Sequence, residues 1–251
     1  MSQTLRAVVT GASSGIGAAT VRLLRTAGWD VVAVARRAGR LAELERETGA
    51  SVIAADLTSD EDVARLVETV TAGGPVHALV NNAGGAIGAD PVALADVEDW
   101  RAMFELNVLA TLRVTQALLP ALRSTRRGDV LVVTSTAGHG TYPGGGGYVA
   151  AKHAERQIAA TLRLELMGEP LRVIEIAPGM VQTEEFSLTR FRGDQAAADA
   201  VYAGVDGPLV AEDIADAIVW CLSRPHHVNI DTMVIRPRAQ VSNTQVARSL
   251  T

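Results

Sequence analysis

Short apolar runs alternate with longer amphipathic stretches along the whole chain. The runs Leu5–Thr10, Val31–Ala35, Ser51–Ala54, Val76–Asn81, Val130–Ser135, Arg172–Ile176 and Thr232–Ile235 read as strands. Several are near-continuous Val, Ile, Leu and Ala, the pattern of strands covered on both faces. Between them, apolar residues recur at helical spacing near residues 15–27, 38–48, 60–71, 97–124, 148–167 and 211–223. This alternation predicts an α/β fold, a doubly wound parallel sheet of about seven strands with helices on both faces. No linker, charge block or repeat interrupts it, so residues 1–251 read as one domain. Residues 179–209 lack strong periodicity and form the longest irregular connection, expected to act as a lid. The tail at 239–251 is too polar for a core helix and is a candidate for reaching a neighbouring subunit.

Composition narrows the classes of function. With 251 residues, 48% of them hydrophobic, the chain can bury a large core. A net charge of -5 gives no electrostatic reason to expect nucleic acid or an anionic membrane as partner. The first residues lead straight into a strand with no room for a signal peptide, and no apolar stretch approaches a membrane span. A cytoplasmic protein is expected, with no metal site. The single cysteine, Cys221, lies in the apolar helical run Ile218–Leu222 and reads as a buried structural thiol. Among 23 basic residues only Lys152 is a lysine, and it stands four places after Tyr148. On a helix that spacing puts both side chains on one face. A lone amine in an arginine-rich chain points to a task for a compact cation with an adjustable pKa.

The first strand runs into Thr10-Gly11-Ala12-Ser13-Ser14-Gly15-Ile16-Gly17, and a helical pattern follows. Glycines at a strand-to-helix turn permit close backbone approach, and the helix N-terminus offers free N–H groups to a pyrophosphate. The spacing Gly-x-x-x-Gly-x-Gly resembles the glycine motif of the short-chain dehydrogenase/reductase family. The resemblance continues in order through Asp56 and Leu57 after the third strand, and Asn81-Asn82-Ala83-Gly84 closing the fourth. Asn107 follows in the next helix and Ser135 ends the fifth strand. Tyr148 and Lys152 come 13 and 17 residues after Ser135, and Pro178-Gly179, Val181 and Thr183 come last. Ala151 and His77 replace residues more usual in the family, away from the implied chemistry.

The resemblance implies a Rossmann-type fold and a nicotinamide cofactor. Gly11, Ser13, Ser14, Gly15, Ile16 and Gly17 would meet its phosphates, Asp56 and Leu57 its adenine. Asn82, Ala83, Gly84, Tyr148, Lys152, Pro178, Gly179, Val181 and Thr183 would line the rest. The second strand ends in Val34-Ala35 followed by Arg36-Arg37, where NAD-using relatives carry a carboxylate. Paired guanidinium donors suit a 2′-phosphate, so NADP is expected, with Arg36 the stronger candidate of the two.

The resemblance further implies Tyr148 as acid/base, Ser135 as hydrogen-bond donor to substrate, Lys152 as modulator and Asn107 as anchor of a water chain. Hydride transfer between an alcohol and a carbonyl needs a group that takes or gives a proton. A free tyrosine titrates near 10, and a nearby cation favours its phenolate. His139 is a candidate pocket residue, and Arg190 or Arg192 a candidate partner for a substrate carboxylate. The segment Glu184–Arg192 and the later Pro225–Ile230 are similar to NADP-dependent 3-hydroxy acid or serine dehydrogenases and to clavaldehyde reductases. The expected activity is oxidoreduction of a small alcohol or carbonyl by a homotetramer or homodimer. The alternative is a non-catalytic NADP-binding sensor or scaffold.

Overall fold

The computed structural model describes residues 4–249. Its centre is a seven-stranded parallel sheet, built from β1 (Arg6–Thr10), β2 (Asp30–Ala35), β3 (Ser51–Ala54), β4 (Ala78–Asn81), β5 (Gly128–Val133), β6 (Leu171–Pro178) and β7 (Thr232–Ile235). The strand order is β3-β2-β1-β4-β5-β6-β7. The chain therefore steps outward from β1, then returns to pair β4 against its other side. In open parallel sheets the crevice at such a reversal, beyond the carboxyl ends of the strands, is where ligands bind.

Side-chain alternation decides which helices cover which face. Ala7 and Val9 of β1, with Val31 and Ala33 of β2, pack against α1 (Gly15–Thr26), α2 (Ala38–Thr48) and α9 (Ala211–Leu222). Val8, Val32 and Val34 face the opposite way, onto α3 (Asp60–Ala72), α5 (Ala110–Ser124) and α6 (Gly146–Glu165). Each strand is thus apolar on both sides, as its near-continuous composition predicts. Cys221 is fully buried on the inner face of α9, and burial pushes its thiol up to about 11, which suits a packing role. No described helix is long and apolar enough to cross a membrane.

Two sequence expectations need correction. The stretch 97–124 is not one continuous helix. It divides into α4 (Val97–Phe104), a π-helical turn at Glu105–Leu109, and α5. The connection 179–209 is not wholly irregular, because it contains α7 (Phe186–Arg190) and α8 (Gln195–Ala200). Both are under two turns, too short for a period to emerge from sequence.

The sheet is tied to α9 by a buried ion pair. Arg172 of β6 meets Asp129 of β5 through Nε and Nη2 at 2.6 and 2.7 Å. Its remaining N–H groups reach the carbonyls of Cys221, Leu222, Arg224 and Val228 around the C-terminal end of α9. A cation there complements the negative pole of the helix.

Candidate active site

The turn between β1 and α1 is shaped by space as much as by flexibility. Gly11 has φ +65°, and a Cβ there would come 2.8 Å from Asn82 Nδ2. Thr10 Oγ1 accepts from the backbone N–H groups of Asn82 and Ala83, each at 3.0 Å. Asn82 Nδ2 donates to the Thr10 carbonyl at 2.9 Å. The ends of β1 and β4 are thereby stitched together at the reversal point. A Cβ on Gly15 would meet Thr183 at 3.4 Å, so the segment after β6 closes the other wall.

Ser14 precedes α1, but its hydroxyl does not cap the helix. It donates instead to Glu185 Oε2 at 2.8 Å and accepts from Arg37 Nη2 at 2.9 Å. Arg37 also donates to Ser13 Oγ at 2.8 Å and pairs with Glu185 at 2.5 Å. A guanidinium and two hydroxyls thus already hold an anionic group beside a helix N-terminus whose first turn carries no acidic side chain. That donor set, with the glycine cradle, fits the phosphates of a dinucleotide. Arg36 makes no side-chain hydrogen bond to a described residue, so it is Arg37 that turns into the loop. Asp56 is held well below the usual carboxylate range by the Thr58 backbone N–H and hydroxyl, with a lesser contribution from Arg36. Leu57 is buried, and its carbonyl accepts from Arg113.

Ser135 stands just beyond β5 in extended backbone. Its Oγ accepts from the Ala137 N–H at 3.1 Å and donates to the Pro178 carbonyl at 3.4 Å. Tyr148 opens the buried face of α6, with Phe186 of α7 packed edge-on at 5.7 Å. Lys152 lies one turn on, its Nζ 5.9 Å from the centre of the Tyr148 ring. That amine donates to the Val133 carbonyl at 3.3 Å and to Glu155 Oε2 at 2.6 Å. A Cβ on Gly84 would stand 3.2 Å from Lys152 Nζ and 2.6 Å from Asn107 Oδ1.

Asn107 is fully buried in the π turn and clamps Gly85, accepting from its N–H at 3.1 Å and donating to its carbonyl at 2.9 Å. Its Nδ2 also takes the Met103 carbonyl at 2.7 Å, the acceptor that an unbroken α-helix gives to the backbone N–H four residues on. The π turn and the amide side chain therefore support each other.

Burial pushes the Tyr148 hydroxyl up, and the Lys152 charge and the nearby Ser135 hydroxyl pull it back without cancelling that rise. The expectation that a nearby cation favours the phenolate leaves out the dry surroundings and the Glu155 carboxylate, which act the other way. Burial pulls the Lys152 amine down, but Glu155 and Tyr148 outweigh it, and the net displacement is upward. Burial likewise pushes the Glu155 carboxyl up, and the Lys152 charge and the Thr111 hydroxyl do not cancel that rise.

The substrate-side candidates are already engaged. His139 Nε2 lies 2.8 Å from Glu175 Oε1 of β6. Arg190 donates to the carbonyls of Gly88 and Gly144 and to Tyr142 Oη, at 3.2, 3.1 and 3.2 Å. Arg192 is exposed and pairs with Asp99 at 2.5 Å. Below Arg190, a cleft is bounded by Ile87, Trp100, Met103, Gly147 and Tyr148. The glycine run ahead of Tyr148 has a separate reason at each place: Gly144 has φ +71°, and a Cβ would press on Tyr142 at Gly145, on Trp100 at Gly146 and on Met103 and Trp100 at Gly147. Pro178 ends β6, and Gly179, Val181 and Thr183 follow it, with Thr183 standing against Gly15 of the glycine turn. Sequence reading missed Glu155 and Glu185. The first could be found only as a carboxylate one helical turn past Lys152, and the second passes for an ordinary lid charge.

The model of the short chain dehydrogenase family matches residues 6–190. An uncharacterized oxidoreductase of Mycobacterium tuberculosis is 55% identical over 241 residues, 96% of this chain and 94% of its own length. Serine 3-dehydrogenase of Rhizobium radiobacter is 40% identical over 233 residues, 92% of each chain. Among solved structures, the closed form of a serine dehydrogenase complexed with NADP+ superposes with a TM-score of 0.90 at 34% identity, covering 98% of this chain and 100% of that one. The seven-stranded order, the glycine turn at its reversal point and this run of matches lead to one conclusion: the chain belongs to the short chain dehydrogenase family.

Proposed function

We propose that the protein is an NADP(H)-dependent oxidoreductase of a small alcohol or carbonyl, with a 3-hydroxy acid as the favoured substrate class. The observation that carries this is the convergence of Ser135, Tyr148 and Lys152 at the carboxyl end of β5, beside the anion-binding turn. When bound, NADP(H) supplies or accepts the hydride. The chain's part is the proton. In carbonyl reduction Tyr148 gives its hydroxyl proton to the substrate oxygen, and in alcohol oxidation its phenolate takes one. Ser135 hydrogen-bonds the same oxygen and stabilises charge that develops there. Lys152 keeps a positive charge beside the phenolate, and Asn107 fixes the backbone at Gly85 that faces it.

Arg37, Ser13 and Ser14 would hold the 2′-phosphate, with Arg36 beside Asp56 on the adenine side. The 179–209 connection acts as a lid that Phe186 and Arg190 close over Tyr148. Arg190 is favoured over Arg192 as partner of a substrate carboxylate, because it is half-buried and anchored to Gly88 and Gly144 of the cleft, while Arg192 is exposed and already paired with the acidic Asp99. Serine is itself a 3-hydroxy acid, and the relatives that act on it support that substrate class. We place the protein in the cytoplasm as a homotetramer or homodimer.

The test is a panel of carbonyls, 3-hydroxy acids and neutral alcohols, followed at the absorbance of reduced nicotinamide with NADP(H) and NAD(H). Turnover with preference for NADP(H) and for carboxylate-bearing substrates is expected. NADPH binding without turnover on any of them would overturn the reading in favour of a sensor.

A further inference from the structure

Glu155 is the one ionisable group in contact with Lys152 to which the proposed chemistry gives no task. It lies on α6 one turn beyond the lysine and is fully buried. Its Oε2 accepts from Lys152 Nζ at 2.6 Å, and its Oε1 accepts from the hydroxyl of Thr111, near the start of α5, at 3.1 Å. A buried ion pair forfeits the hydration of both partners, and apolar side chains of like volume often pack as well or better. Packing of α5 against α6 therefore does not explain a carboxylate here.

We infer that Glu155 is a positioning residue for the proton transfer, which, held by Thr111, aims the Lys152 amine and tempers the positive charge felt at Tyr148. This rests on reading Tyr148 and Lys152 as the proton-transfer pair. An ammonium has three N–H donors. Glu155 takes one and the Val133 carbonyl another, which directs the third toward the Gly84 and Tyr148 side. Without Glu155 the amine would keep one weak protein acceptor, at 3.3 Å, and its four-carbon stem would be free to swing.

The other groups facing the pair are Tyr148 on the same helix, Tyr142 on the loop before it, Ser135 beyond β5 and Glu175 on β6. Glu175 is itself engaged by Thr134, Thr232, His139 and, at 3.7 Å, Arg156. Glu155 is thus the carboxylate in direct contact with the amine. Its charge opposes ionisation of Tyr148, while that of Lys152 favours it.

Because Lys152 is the sole lysine, 15N-labelling of lysine side chains gives one Nζ signal, and its titration can be followed by NMR without assignment. In the wild type it should titrate above the ordinary lysine range. Glu155→Gln keeps the shape and an acceptor but removes the charge. There the Lys152 titration should fall by about 1–3 pH units. The rising limb of kcat/KM for alcohol oxidation should also move down, by about one unit, because Tyr148 then faces a less compensated cation. Glu155→Asp restores the charge and should recover most of the Lys152 titration. A folded Glu155→Gln with both titration and profile unchanged would overturn the inference. If that variant does not fold, a wild-type Lys152 titrating at or below the ordinary range overturns it alone. Absence of turnover in the wild type would strike the functional reading instead, and the Lys152 titration would still decide the Glu155 contact.

Discussion

Lys152→Arg keeps the charge and removes the shape, and so separates the two things an amine supplies. The native Nζ is 3% exposed as part of its residue and sits among Glu155 Oε2 at 2.6 Å, the Val133 carbonyl at 3.3 Å and Gly84, where even an added Cβ would stand only 3.2 Å away. A guanidinium is wider, planar and carried further from the backbone, so it must press on Gly84 and Asn107 or turn out of the cage. Either way the cation no longer faces Tyr148 as the amine does. A free phenol with a pKa near 10 is only about one part in a thousand ionised at pH 7. Each unit by which a cation lowers that pKa is worth about 1.4 kcal/mol, or tenfold in phenolate. Loss of the Lys152 contribution in Lys152→Arg should cost about 10²- to 10³-fold in kcat/KM for oxidation. The assay is initial rate against pH on the best substrate, with thermal unfolding and NADPH binding measured in parallel. A folded variant within about threefold of wild type across the pH range would refute the argument, because charge alone would then suffice.

Two further outcomes follow from other contacts. Arg172→Met should destabilise the fold by about 3–5 kcal/mol, read by denaturant unfolding, because it leaves the Asp129 carboxylate buried with only His226 nearby at 3.6 Å. The double variant Arg172→Met with Asp129→Leu should recover much of that loss, and no recovery would refute the pairing argument. Glu185→Gln should tighten NADPH binding by up to about fivefold, since an exposed pair such as Arg37–Glu185 is worth no more than about 1 kcal/mol. Fluorescence titration with NADPH and NADH checks it, and unchanged affinity for NADPH would show that Glu185 does not compete for Arg37.

What the sequence made legible was whatever repeats locally. Runs such as Ala7–Val9 and Val31–Ala35 announce strands buried on both faces, and the glycine turn between β1 and α1 announces its own place at the sheet reversal. The π turn was hidden because apolar residues at helical spacing pass straight through Glu105–Leu109. A one-residue bulge shifts the phase of the pattern too little to register over so short a window. Which of the two side chains, Arg36 or Arg37, contacts Ser13 and Ser14 was hidden for a related reason. Adjacent side chains leave extended backbone in opposite directions, and only the register at the end of β2 decides which one reaches Ser13 and Ser14. His139, Arg190 and Arg192 were chosen by chain position, but their acceptors lie 36, 46 and 93 residues away in sequence, where no local pattern could reveal them.

The glycines of the site divide along the same line between local and distant causes. Gly11 and Gly15 have φ of +65° and +50°, so the turn they form demands glycine whatever surrounds it. Gly17 and Gly84 have no such backbone requirement. A Cβ at Gly17 would overlap the Gly11 carbonyl, and one at Gly84 would press on Asn107 and Lys152. Their reason is room, set at Gly17 by the Gly11 backbone and the Asn82 side chain, and at Gly84 by side chains that arrive from the π turn and from α6. The four sides of the Lys152 cage come from Gly84 and Asn107, both in the connection between β4 and β5, from Val133 at the end of β5 and from Glu155 on α6 itself. An amine fits there because it is the smallest cation a side chain offers, and the crowding that excludes a Cβ at Gly84 also excludes a guanidinium at position 152. One steric limit thus accounts for both the glycine and the lone lysine.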